Sequence, residues 1–332
     1  MTRHYTTCCD RVYLGRLQVL LRSMRRHCGD FVLHVLAYDE ETFYWSLDQL
    51  GDVLPTRVSD LVVRHPELTL ENLPTPRVRI DEKLCTWRWF HTLDVVGTWG
   101  PVTQLDSDLM FFGSPEPVFE EIGGAGFAVL PHNLARASDH VPGITQESHG
   151  QFGTYNGGWS YWWDGAPLAA MCEWVRQWCH PGFREHADGR KTYGDQGYLD
   201  LVQERYSGHV IKHPGACAAP WNLNRWIVEK DAAGVVQLDG RPLVSFHFQG
   251  FRWAKRTHEL YRVNDDHDRI LYVPYRQELE AVGDGTDALL TPCNVCGVAP
   301  SDGCPHPVRR ETLKEANAKL RKIHGRYGSS TK

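Results

Sequence analysis

The sequence predicts an α/β fold with a mostly parallel central sheet and flanking helices. Three observations carry that prediction. Apolar, strand-like runs alternate with helical periodicity through the first third of the chain. At 332 residues, 42% of them hydrophobic, the chain can build a sizeable core. The run TQLDSDLMFF at 103–112 then sets Asp106 and Asp108 at the end of an apolar strand. Sheets of this kind bind ligands beyond the carboxyl ends of their strands.

The elements follow in order. HYTTCC is β-prone, and LGRLQVLLRSM sets Leu14, Leu17, Leu21 and Met24 at helical spacing. FVLHVLAYD reads as an apolar strand ending at Asp39, and ETFYWSLDQL as a helix with acids in its first turn. DEKLCTWRWFHTLDVV is a further helix, and VTQLD a strand that stops at the two carboxylates. Farther on, TYNGGWSYWW has strand character and APLAAMCEWVRQWC is helical by composition. GDQGYLDLVQERY has a Gly-Asp start and then a helical pattern, and a helix cap is the ordinary alternative for Asp195. HPGACAAPWNLNRW is a loop, and RPLVSFHFQGF a strand running into a turn. A break near AVGDGTD divides residues 1–280 from an extension, 285–332, that holds a Cys/His cluster and an amphipathic helix.

Composition limits the partners. A net charge of −5 argues against nucleic acid, which needs a clustered basic face. No apolar window reaches the length of a membrane span, and no signal-peptide pattern opens the chain. The expectation is a soluble cytoplasmic protein. Its 10 cysteines then read as reduced thiols rather than a disulfide framework.

An Asp-x-Asp at a strand end turns two carboxylates into one crevice. Oxygen ligands suit Mg²⁺ or Mn²⁺, which also coordinate phosphates. Unpaired carboxylates beside LMFF would be costly, so a cation is a natural partner. An ordinary turn or helix cap is the alternative for any such pair.

TQLDSDLMFFGSPEPVFEEI resembles the Asp-x-Asp segment of GT-A-fold, nucleotide-sugar-dependent glycosyltransferases, and is similar to their glycogenin-like and lipopolysaccharide-galactosyltransferase-like family. Other stretches resemble that family in the same order: YTTCCDRVYLGRLQVLLRSMRRHCGDFVLHVLAYD, YNGGWSYW, YGDQGYLD, HPGACAAPWN and FHFQGF. The resemblance implies a GT-A-like fold, a UDP- or other NDP-sugar donor, and a divalent cation, usually Mn²⁺. It places Asp106 and Asp108 as metal ligands and His247 as the residue that completes the metal site. On its residues alone, a lone His such as His247 between Phe246 and Phe248 is usually a satisfied core histidine. Asn156, Asp195 and Gln196 match positions that hold the donor sugar, where amides and carboxylates pair with hydroxyls. Thr6, Thr7 and Tyr13 match the base and ribose region. Tyr13 stacking on the base and Tyr13 as ordinary packing both stay open, as do a nucleotide contact and a solvated surface role for Lys83.

One departure stands out. The family commonly carries His-x-x-Gly-x-x-Lys, with the Lys on the diphosphate. Here the segment is HFQGFRWAKR, the Lys position is Trp253, and Arg252 or Lys255 is the candidate replacement. The implied reaction is glycosyl transfer through an oxocarbenium-like transition state with retention of configuration. Asp195, with Gln196 beside it, is the motif-linked candidate for a base or front-face stabiliser. The aromatic residues Trp159, Tyr161, Trp162, Trp163 and Trp221 offer either an acceptor platform or core packing.

Outside the resemblance, Cys293, Cys296, Cys304 and His306 have the ligand types and spacing of a structural Zn²⁺ site. Two other functions compete with transfer to an acceptor hydroxyl. One is a metal-dependent nucleotide-sugar hydrolase or pyrophosphatase. The other is a non-catalytic protein whose zinc-stabilised extension binds a partner.

Overall fold

The computed structural model describes residues 2–69, 72, 80–134, 152–177, 194–216, 218–253, 257–258 and 263–284. The chain opens with strand β1 (Arg3–Cys9), helix α1 (Leu14–His27), β2 (Phe31–Ala37), α2 (Glu40–Asp48), β3 (Val53–Arg57) and α3 (Val58–Arg64). Leu14, Leu17, Leu21 and Met24 are all buried on one side of α1, as their spacing requires. Every residue of β2 is buried, so its apolar run is continuous rather than alternating. Asp39 caps α2 by accepting from the Thr42 amide at 2.8 Å.

The long helix α4 (Ile80–Trp99) returns the chain to β4 (Val102–Leu105), on the far side of β1 from β2. β5 (Leu109–Phe111), α5 (Glu116–Ile122), β6 (Phe127–Pro131), β7 (Tyr155–Trp162) and β8 (His209–Val210) follow, with helices Gly165–Gln177 and Tyr198–Tyr206 between the last two strands. The central sheet has the order β3-β2-β1-β4-β7-β6-β8. The β1–β2, β2–β3, β1–β4 and β6–β8 pairs are parallel, while β7 runs antiparallel to both β4 and β6. The reversal of strand order between β1 and β4 opens a crevice beyond their carboxyl ends.

Two cores cover the two faces. Tyr5, Leu17, Leu21, Leu33, Trp159 and Tyr161 pack on the α1 and α5 side. Trp87, Trp89, Phe127, Val129, Trp162 and Met171 pack on the α4 side. Alternation along β7 sorts its aromatics, sending Trp159 and Tyr161 to one face and Trp162 to the other. Trp162 stacks on Phe127 with ring centroids 5.5 Å apart. These residues fill the core, so the aromatic run is not an acceptor platform. Trp163 is 52% exposed, but β7 runs antiparallel to β4 and carries it to the end of the sheet away from the crevice.

The second half holds several departures from the sequence reading. RPLVSFHFQGF is not one strand. It divides into β11 (Arg241–Pro242), which closes a three-stranded meander with β9 (Val228–Lys230) and β10 (Val236–Leu238), and β12 (Ser245–His247), which pairs antiparallel with β5. β13 (Phe251–Arg252) then leads toward the helix Val273–Ala281, and Phe246, Phe248, Phe251, Tyr272 and Tyr275 form a third core. Cys8, Cys9, Cys28, Cys85 and Cys172 are free thiols. Among the described residues no helix is long and apolar enough to cross a membrane. The 285–332 extension, with Cys293, Cys296, Cys304 and His306, lies outside the described residues.

Candidate functional site

β4 ends at Leu105, and the chain then bends through Asp106, Ser107 and Asp108 before β5. The Asp106 amide donates to the Gly158 carbonyl at 3.0 Å, which ties this bend to β7. β12 lies against β5 in the register His247↔Leu109, so His247 arrives opposite the bend. Its Nε2 sits 3.0 Å from Asp108 Oδ1 and 3.7 Å from Asp106 Oδ2. One ligand atom from each of Asp106, Asp108 and His247 lies within 4.8 Å of the others. The three residues are distant in sequence except for the Asp pair, and the fold brings them together.

The two carboxylates differ electrically. Burial pushes the Asp108 carboxyl up, but the His247 imidazole and the Arg16 guanidinium outweigh it and hold it below the usual range. Burial likewise pushes the Asp106 carboxyl up, and Arg88 and His247 only partly oppose it. The Asp106 side chain keeps about a quarter of its surface open, at 26%, against 9% for Asp108. Asp106 therefore faces the crevice mouth and Asp108 its floor.

Arg88 is the organiser that sequence reading missed. It projects from α4, its Nη1 donates to Asp106 Oδ1 at 2.7 Å, and its Nη2 lies 2.6 Å from Asp195 Oδ2. The neighbouring Trp89 indole N–H donates to the same Asp195 oxygen at 2.7 Å. Burial opposes the charge on Arg88, but Asp195 and Asp106 outweigh it and raise its pKa well above the ordinary value. The signal was present in CTWRWF. An Arg with Trp on either side of it in an apolar helix needs an acidic partner inside.

The alternative role for Asp195, a cap on the following helix, is not taken up: Asp195 opens a 3-10 turn, Asp195–Gly197, and the helix starts at Tyr198 with no side-chain cap. Its carboxylate is turned inward to Arg88 and Trp89, whose charge-assisted bonds hold it more firmly than a cap would.

Asn156 and Gln196 flank this pair. Asn156 Oδ1 accepts from the Gly158 amide at 2.5 Å, and Gln196 Nε2 donates to the Phe152 carbonyl at 3.0 Å. The two glycines between them are required by space. A Cβ at Gly157 would meet Arg88 Nη2 at 2.9 Å, and one at Gly158 would meet His247 Nδ1 at 2.7 Å. Trp221, from the HPGACAAPWN loop, walls the other side of His247, with ring centroids 5.4 Å apart at 80°. Its indole N–H and the Asn222 amide both donate to the His132 carbonyl at 3.1 Å.

The remaining predicted residues fall on the β1 side. Thr6 and Thr7 are buried in β1, and Thr6 Oγ1 is 3.0 Å from Thr92 Oγ1 of α4. Thr7 Oγ1 is buried as well, so neither hydroxyl lies open at the crevice mouth. Tyr13 is 39% exposed, and the Arg16 guanidinium lies 4.2 Å from its ring centroid. Arg252 is exposed on β13. Lys83 is in α4, but its side chain lies outside the described residues, as does Lys255. Cys8 also borders the site. Burial pushes its thiol up to about 11, which keeps it protonated and unreactive at neutral pH.

No protein-family model matches the chain. Among curated proteins, the uncharacterized protein YfnD of Bacillus subtilis (strain 168) is 29% identical over 287 residues, covering 82% of this chain and 88% of its own. YfnF of the same strain is 28% identical over 282 residues, covering 80% and 88%. Among solved structures, the galactosyltransferase LgtC in complex with donor and acceptor sugar analogs superposes with a TM-score of 0.52 at 15% identity, covering 84% of this chain and 95% of that one. An active-site mutant of LgtC gives 0.53 at 17% identity over the same shares. The chain thus has a GT-A-like fold, with the central, mostly parallel sheet expected from its sequence.

Proposed function

We propose that this protein is a glycosyltransferase that moves a sugar from a nucleoside-diphosphate donor, UDP-linked in our reading, to an acceptor hydroxyl. The observation that carries the reading is the convergence of Asp106, Asp108 and His247 with the Arg88–Asp195 pair at one crevice. The fold shared with LgtC, a galactosyltransferase, supports it. Two carboxylates and one imidazole, within 4.8 Å of each other, are a donor set that fits Mn²⁺ or Mg²⁺. A cation bound there supplies Lewis-acid stabilisation to the departing diphosphate.

The chain's own groups account for binding and orientation. Asn156 and Gln196 present amides to sugar hydroxyls. Asp195 stands beside them as a fixed carboxylate and stabilises positive charge that develops on the donor sugar. Its Oδ2 already receives Arg88 and Trp89, which fix the carboxylate in place beside the donor sugar. The acceptor proton then leaves to the donor's own phosphate, which fits retention of configuration. Trp221 closes one wall and limits water at His247.

The test is titration calorimetry with UDP, GDP, ADP and CDP, with and without Mn²⁺, on the wild type and an Asp106→Asn/Asp108→Asn variant. Binding that needs Mn²⁺ and is lost in the variant supports the reading. Failure of the wild type to bind any of the four overturns it. Turnover of the matching nucleotide-sugar then separates transfer from hydrolysis: sugar released at full rate without acceptor marks a hydrolase. An inverted anomer in the product NMR spectrum would overturn retention.

A further inference from the structure

Beyond its pull on Asp108, Arg16 has no role in the chemistry so far. It sits in the first turn of α1, half-buried, with its guanidinium over the Tyr13 ring. Its Nη2 donates to the Phe251 carbonyl at 3.2 Å. That carbonyl belongs to a turn fastened to the candidate metal site. Phe251 N donates to the Phe248 carbonyl at 3.0 Å, and Phe248 N donates to the Asp108 carbonyl at 2.9 Å. Arg16 is thereby anchored one short chain of bonds from Asp108. Among the described residues it has no carboxylate at ion-pair distance.

A half-buried guanidinium without a carboxylate is costly unless an anion joins it. Among the described residues Asp108 acts on it through space, and no carboxylate pairs with it directly. Tyr13 and Tyr275 are neutral phenols, raised by burial in each case. Asp108 is turned to His247. The Asp284 carboxylate packs against Gly15, the preceding residue, where any Cβ would collide with it. Arg252, on β13 next to Phe251, brings a second cation to the same side. Trp253 cannot take this role, because its ring packs edge-on against Phe251, with centroids 5.5 Å apart.

We propose that Arg16 is the fixed cation that binds the diphosphate of the donor, with Arg252 closing on it from the exposed side. This rests on the nucleotide-sugar reading above. The planar fork of Arg16 matches phosphate oxygens, and its hydrogen bond to Phe251 sets its orientation before the ligand arrives.

The experiment compares wild type, Arg16→Met and Arg16→Lys by calorimetry with UDP, UMP and uridine in the presence of Mn²⁺. The expected result for Arg16→Met is a loss of UDP affinity on the order of ten- to a hundred-fold, the worth of one charge-assisted contact. Uridine affinity stays unchanged, and Arg16→Lys falls between, because it keeps the charge and loses the fork. Equal loss for UDP and uridine would mark a structural role and overturn the proposal. So would undiminished UDP binding by Arg16→Met. If the wild type binds no nucleotide, the donor reading itself has failed, a result distinct from either. Uridine binding by each variant, with thermal unfolding, reports that it is folded.

Discussion

Arg88 Nη2 lies 2.6 Å from Asp195 Oδ2 while Nη1 of the same guanidinium donates to Asp106 Oδ1 at 2.7 Å. One side chain of α4 thus joins the end of β4 to the loop that follows β7 and its helix. The join is mostly buried, with Arg88 at 11% and Asp195 at 8% side-chain exposure. Pairs of this kind are not strong net stabilisers, but breaking one leaves a buried charge alone.

Replacing Arg88 with Leu is therefore expected to cost about 3–5 kcal/mol of stability. Arg88→Lys should recover part of that stability but not the transfer rate, since an ammonium cannot span both carboxylates with fixed geometry. Urea unfolding of the two variants measures the first claim. A loss below about 1 kcal/mol in Arg88→Leu, the range of an exposed pair, would show that the join is solvated.

Two glycines of this chain should answer alanine in opposite ways. Gly158→Ala drives a Cβ to 2.7 Å from His247 Nδ1 and 2.8 Å from Asn156 Oδ1, so it moves a candidate metal ligand. Its expected signature is weakened Mn²⁺ binding, read by electron paramagnetic resonance of the free ion. Gly97 is exposed in α4, and a Cβ there would meet no neighbouring atom within 4 Å. Gly97→Ala should instead stabilise by about 0.5–1 kcal/mol through helix propensity, with Mn²⁺ binding unchanged.

The sequence made the β1–α1–β2 unit and the strand ahead of Asp106 legible, because period and apolarity are local properties. Asp106 and Asp108 were legible as neighbours at a strand end, whereas His247 was reached only through the order of motifs that resembles the glycosyltransferase family. For Arg88, CTWRWF signals only that a buried acidic partner is needed; which one it is, Asp195 more than a hundred positions away, no local pattern shows. The same reason hid the inward turn of Asp195: an Asp before a helix looks like a cap until its partner is known. β3, β6 and the β9–β11 meander escaped notice because they are short, and short apolar runs carry little periodicity. The assignment of β12 to β5, rather than to the strand before it, depends on tertiary pairing alone.

Cys8 tests the electrostatics beside the site without touching its chemistry. With its thiol raised to about 11, it should resist iodoacetamide at pH 8 in the folded protein and react readily in urea. Peptide mapping by mass spectrometry reads this residue separately from the other cysteines. Fast labelling of Cys8 in the native state would show that its thiol is open to solvent.

His91 gives the last prediction, a dependence of stability on pH. It lies in α4, one turn beyond Arg88, and is 2% exposed. Burial lowers its pKa from 6.5 to about 4, so the folded protein holds it neutral. The unfolded chain binds a proton at this residue below pH 6.5, and the folded one only below about 4. Between those values the unfolded state holds more protons, so stability falls as pH drops through the window. Above pH 6.5 the full contribution is present; below about pH 4 both states are protonated and the loss stops growing. A gap of this width corresponds to about 3 kcal/mol at most. His91→Gln removes the titration while keeping a polar side chain of similar length. In urea unfolding between pH 7.5 and 4.5, the wild type should lose its stability advantage over His91→Gln as pH falls. Parallel curves for the two proteins across that range would mean that His91 takes up its proton equally in both states, and the buried neutral imidazole would have to be abandoned.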